Sequence, residues 1–124
     1  MPGEVKRAVR VAARVREVLA TILTQEVRDP RISGVVVSRI EMPDDLRSAR
    51  VYVRMLEGGD DEERRKEALT GLARASGMLR REVGQRVGLK FAPEMRFYYD
   101  AAQEKVNRIE ELLEEVRREK KKGE

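Results

Sequence analysis

The sequence predicts an α+β domain in which a three-stranded mixed sheet packs against helices on one face and a further helix follows at the C-terminal end. Three observations carry this. Apolar residues recur at helical steps in three long segments. Three short runs rich in β-branched or aromatic residues lie between them. A short turn joins the first two runs, which makes an antiparallel hairpin. The third follows a long helical crossover, which permits a parallel pairing.

The first helix is expected over residues 4–27. Ala8, Ala12, Val15, Leu19, Ile22 and Leu23 form its apolar stripe, with Val5 and Val18 beside it. It must end ahead of Pro30, because proline disfavours helical geometry in the preceding residue. Arg28-Asp29-Pro30-Arg31 turns the chain, and Gly34 releases it into a strand over 35–42, with Val36, Ile40 and Met42 expected on one face. Pro43-Asp44-Asp45 is a turn cluster. In the second strand, 48–56, Ala49, Val51, Val53 and Met55 alternate with Arg50, Tyr52 and Arg54, so one face is buried and the other wet.

Gly58-Gly59-Asp60-Asp61 breaks the sheet and caps a helix whose stripe is Ala68, Leu69, Leu72, Ala75, Leu79, Val83 and Val87. Gly77 lies inside that stripe, and Gly in a helix costs about 1 kcal/mol relative to Ala. An interrupted helix at Ala75-Ser76-Gly77 would give that cost a purpose and is expected. Gly88 ends the unit, 95–99 is the third strand, and 102–122 is the last helix. Its stripe is Val106, Ile109, Leu112, Leu113 and Val116, and its lysine-rich tip is expected to fray. Residues 1–100 should therefore form one core domain, and 101–124 a charged, partly flexible helix or tail.

Composition narrows the chemistry. The 124 residues include no Cys and no His. Thiolate and imidazole nucleophiles, bases and metal ligands are thus excluded. Charged residues make up 40%, well above the usual quarter, so the core must be thin. Net charge is only +4, but it is unevenly spread. Residues 1–31 carry seven Lys/Arg against four acids, and 74–96 carry six against two. If the fold joins these blocks, they make a face suited to phosphates. Solvated helix faces explain the same charges about equally well. No signal-like segment and no apolar run of membrane-spanning length is visible, and a cytoplasmic location is expected.

The central candidate is Arg74-Ala75-Ser76-Gly77-Met78-Leu79-Arg80-Arg81. Small residues let a nucleic-acid backbone come close, and the arginines offer phosphate contacts. Close helix–helix packing fits the small residues slightly better on residue physics alone. A second candidate is the basic run Lys6, Arg7, Arg10 and Arg14. Tyr52, Tyr98 and Tyr99 are stacking candidates, though strand tyrosines more often complete a core. Asp60 to Glu63 lack the spacing of a calcium loop and read as a helix cap.

The element order is similar to the type II KH fold, which binds single-stranded RNA at a helix–loop–helix junction. There is no GxxG loop at the junction. Ala75-Ser76-Gly77 instead resembles the Ala-x-Gly kink of the bacterial ribosome-binding factor A family. Arg28-Asp29-Pro30-Arg31 resembles that family's post-helix turn, and Asp45-Leu46 with Ala49-Arg50-Val51-Tyr52-Val53 its hairpin. Leu79-Arg80-Arg81-Glu82-Val83-Gly84, Pro93-Glu94-Met95-Arg96-Phe97 and Ile109-Glu110-Glu111-Leu112-Leu113 resemble later pieces in the right order. The resemblance implies a non-catalytic factor, without cofactor or metal, that binds free 30S small subunits and 16S rRNA. It also implies a part in late rRNA processing and in cold adaptation. The chain is expected to act as a monomer away from membranes. RNA contacts are expected from Lys6, Arg7, Arg10, Arg14, Arg74, Ala75, Ser76, Gly77, Arg80 and Arg81. The alternatives are a protein–protein adaptor docking through its C-terminal helix and, less favoured, a carboxylate-based hydrolase or nuclease.

Overall fold

The computed structural model describes residues 2–122, with side chains from Arg7 to Lys121 except Glu104. The first helix, α1 (Pro2–Thr21), continues into a π-helical turn over Ile22–Glu26, closed by Val27 N–H donating to the Ile22 carbonyl at 3.0 Å. A 3₁₀ turn, Pro30–Ile32, leads into β1 (Val35–Glu41). Then come β2 (Ser48–Met55), α2 (Glu62–Val87), β3 (Glu94–Tyr99) and α3 (Ala101–Lys122). The sheet order is β1-β2-β3, with β1 antiparallel and β3 parallel to the central β2. This is the mixed sheet of a KH-like α+β domain.

α1 and α2 cover one face of the sheet. Val15 and Leu19 from α1 and Ile22 from the π-helical turn meet Val51 and Val53 from β2, and Leu72, Leu79 and Val83 from α2 complete the core. The alternation in β2 places Ala49, Val51, Val53 and Met55 inward, as periodicity predicts. β1 departs from expectation. Its register slips between Val37 and Arg39, leaving Ser38 as an extra residue, a β-bulge. One added residue reverses the parity of the strand. Val35 and Val37 therefore face the core before the bulge, and Ile40 packs on it afterwards. Val36, expected beside Ile40 and Met42, instead pairs with Arg54 on the opposite face.

The expected interruption at Ala75-Ser76-Gly77 is absent: α2 runs unbroken for 26 residues. Buried Ala68 and Leu72 hold it on one side of Gly77, and Leu79 and Val83 on the other. Against that anchoring, a local cost of about 1 kcal/mol for one glycine is too small to break the helix. The fold assignment stands without the break. α2 ends where expected, at Gly88, whose φ of 79° is the left-handed cap conformation that glycine adopts without strain. Asp61 caps its start, accepting from Glu63 N–H at 2.9 Å.

α3 departs from the sheet at Asp100, a buried carboxylate that accepts from Gln103 N–H at 3.1 Å. Arg108 ties it to Asp60 at 3.2 Å. Its apolar stripe is not core. Val106, Ile109, Leu112, Leu113 and Val116 are all about half exposed.

Candidate nucleic-acid interface

The interface begins at the Arg-Asp-Pro-Arg turn. Asp29 accepts from Arg31 N–H at 2.9 Å and receives a two-pronged guanidinium, with Nη2 at 2.6 Å and Nε at 3.0 Å. These hydrogen bonds, more than charge alone, hold the Asp29 carboxyl down at about 2, and Arg74 adds to the effect. The turn docks on α2 at Gly71. A Cβ there would sit 2.8 Å from Ile32 Cγ2 and 3.1 Å from Arg31 Cβ, so only glycine admits this approach. Nearer the end of α2, Arg86 Nη1 donates to Glu26 at 2.6 Å, drawing α1 and α2 together. That hydrogen bond lowers the Glu26 pKa and raises that of Arg86.

With the turn in place, Arg74, Gly77 and Arg81 form one exposed stripe on α2, since residues spaced by three and four share a helix face. A Cβ at Gly77 would meet nothing within 4 Å. Packing against a neighbouring helix therefore does not explain this glycine, and the small-residue site stays open to solvent. Ser76 Oγ is spent on its own helix, donating to the Ala73 carbonyl at 2.7 Å, and Ala75 packs against the core. Both lie off the exposed stripe.

Arg80 also leaves that stripe. It is rotated by about 100° from Arg81, and its Nε donates to the Ala92 carbonyl at 3.0 Å. A single face built from both basic blocks would put Arg10, Arg14, Arg74, Arg80 and Arg81 on one side, and the turn of Arg80 toward Ala92 means that they do not all share it. On α1, Arg7, Arg10 and Arg14 are exposed, and Arg14 pairs with Glu17 at 3.2 Å. The opposite flank of α1, with Val9, Ala13 and Arg16, lines a cleft against the end of β1. Arg7 and Arg14 lie on the other flank of α1, away from that cleft. The Lys6 side chain lies outside the described residues.

Sequence reasoning missed one part. The loop held by Arg80 carries Phe91, half exposed, with the Arg47 guanidinium 4.7 Å and the Lys90 ammonium 5.5 Å from its ring centroid. An exposed aromatic beside cations is an apt base-stacking group. The signal was a Lys-Phe pair in a loop bounded by Gly88 and Pro93. No cluster of three or more His, Cys, Asp or Glu able to hold a metal occurs among the described residues. No helix there is long and apolar enough to cross a membrane.

Comparison with known proteins agrees over most of the chain. The family model for ribosome-binding factor A matches residues 7–113. A ribosome-binding factor A from Sorangium cellulosum is 51% identical over 117 residues, covering 94% of each chain. The crystal structure of ribosome-binding factor A from Thermus thermophilus superposes with a TM-score of 0.64 at 26% identity, covering 74% of this chain and 93% of that one. A Thermus thermophilus homology model fitted into the cryo-EM map of a 30S complex superposes with a TM-score of 0.58 at 26% identity, over 72% of this chain and 90% of that one.

Proposed function

The chain belongs to the ribosome-binding factor A family, and from that premise we propose that it is a non-catalytic assembly factor that binds free 30S subunits through 16S rRNA. The observation that carries the reading is the outward stripe Arg74–Gly77–Arg81. It is exposed, and neither arginine has a direct ion pair among the described residues. Its glycine leaves room for a phosphate backbone, and Arg7, Arg10 and Arg14 extend the positive surface along α1. Binding spread over such a face suits folded rRNA better than a single-strand clamp does. The 30S complex of the Thermus relative supports the same partner. The factor assists late rRNA processing, contributes to cold adaptation, and works in the cytoplasm as a monomer. Residues 1–100 carry the RNA-binding domain, and α3 is an appended helix.

The exposed apolar stripe of α3 favours one second reading, a protein adaptor docking through that helix. Sedimentation with 30S, 50S and 70S particles at several salt concentrations decides between them. The proposal expects cosedimentation with 30S alone, falling steeply with salt as counterions are released. Salt-insensitive binding that disappears on changing the α3 stripe sinks it in favour of the adaptor.

A further inference from the structure

The face of the sheet turned away from α1 and α2 carries an aromatic and basic surface that the proposed helical interface does not use. Register brings Arg39, Tyr52 and Tyr98 into one row across β1, β2 and β3. The Arg39 guanidinium lies 3.8 Å from the Tyr52 ring centroid. The two tyrosine rings stack, with centroids 5.4 Å apart and planes at 28°. Tyr98 ends the row on the edge strand at 39% exposure, and no further ring or cation covers it among the described residues. The row is a stack with one open end.

Beside it, Arg50 and Arg96 are register neighbours on the same face. Like charges placed side by side on adjacent strands are unfavourable unless something answers them. Glu94 answers Arg96 weakly, at 3.5 Å with both side chains largely exposed. Glu41 pairs in register with Arg50, but its carboxylate is engaged by Arg39 and by the Tyr52 hydroxyl at 3.4 Å. Arg50 has no ion pair among the described residues. Arg54, further along β2, lines a cleft with Glu110, Glu111, Glu114, Glu115 and Arg118 of α3, where acidic side chains outnumber basic ones. The positive charge with the fewest acidic neighbours on this face therefore lies at Arg50, without an ion pair among the described residues, and at Arg96, held only by the exposed 3.5 Å contact with Glu94, next to the open ring of Tyr98.

We propose that this open sheet face is a second RNA-contact surface: an unpaired base stacks on Tyr98, and adjoining phosphates lie on Arg50 and Arg96. A flat face with a stacking ring and two guanidinium groups fits single-stranded RNA, whose bases are free to splay out. Duplex RNA keeps its bases inside and finds no partner for the ring. The surface is separate from the Arg74–Gly77–Arg81 stripe, so it can fail while 30S binding stands.

The chain contains three tyrosines and no tryptophan, so intrinsic fluorescence reports on these rings. The full chain is titrated with an unstructured single-stranded RNA of about ten nucleotides, long enough for one OB-sized site. Tyrosine emission and the anisotropy of labelled RNA are followed together. Binding with quenched emission is expected. Tyr98→Ala should weaken binding at least about fivefold, the lower end of one lost base stack, and remove most of the quenching. Tyr98→Phe, which keeps the ring, should stay close to wild type. Arg50→Glu with Arg96→Glu should weaken binding and flatten its salt dependence. Both arginines are exposed, so this variant decides the matter if Tyr98→Ala fails to fold. Absence of RNA binding by the wild type, or wild-type affinity and quenching in either folded variant, overturns the proposal. So does a chain that sediments as a dimer and becomes a monomer on Tyr98→Ala with RNA affinity unchanged, because a second copy then covers the face.

Discussion

Gly77→Ala separates a structural role for this glycine from a binding role, because the two predict different pairs of outcomes. In the structure Gly77 lies inside a continuous helix, and a methyl group there meets nothing within 4 Å. The substitution therefore adds no clash and removes the entropic cost of a helical glycine. Stability should rise by about 1 kcal/mol. For a chain of 124 residues, with an unfolding entropy of about 2.1 cal/mol/K per residue, that is an increase in Tm of about 4 °C. Yet the same methyl group projects from the stripe between Arg74 and Arg81. If an RNA backbone approaches closely there, affinity for 30S subunits should fall about tenfold, the equivalent of about 1.4 kcal/mol. The assays are thermal melting followed by circular dichroism at the helix band and sedimentation with 30S subunits at fixed salt. A lower Tm would refute the continuous helix at this point. A higher Tm with unchanged affinity would refute the close approach and leave the interface to the arginines.

Gly71→Ala, six residues earlier in the same helix, should do the opposite. Its methyl group would meet buried Ile32 at 2.8 Å, and overpacking of about 1–3 kcal/mol, less about 1 kcal/mol of helix propensity, should lower Tm by up to several degrees. Arg74→Glu with Arg81→Glu should reduce the slope of log affinity against log salt by about 2, one for each phosphate no longer neutralised. Their exposed side chains should leave Tm little changed. Asp29 supplies a pH dependence. Its folded pKa of about 2 lies below the ordinary 3.8, so its contribution is fully present above the unfolded value and is lost as pH falls through the folded one. Urea midpoints measured as pH falls from about 5 to about 2 should decline more steeply for the wild type than for Asp29→Asn; parallel curves would remove Asp29 from the acid sensitivity.

Local chemistry makes much of this chain legible from its residues alone. The stripe of α1, the alternation of β2, the capping acid Asp61 and the terminating Gly88 each follow from periodicity or backbone preference over a few residues. The basic blocks are equally visible, because charge is read directly from composition. The rest depends on partners distant in sequence. The bulge at Ser38 is set by how β1 registers on β2, and one residue of slip exchanges the faces of Val36 and its neighbours. Whether Gly77 breaks α2 depends on Leu72 and Leu79 being buried on either side of it, since its local preference is worth only about 1 kcal/mol. Arg80 and Arg81 are adjacent in the chain and both exposed, but only the position of Ala92 shows that the Arg80 guanidinium is bonded to the loop while Arg81 makes no such bond. Tyr52 and Tyr98 become a stacked pair through the parallel pairing of β2 with β3. By itself the sequence determined the elements and the kinds of surface they carry, because these rest on short-range preferences. Only tertiary structure decided which side chains meet and which stay open, because that depends on register and burial across the sheet.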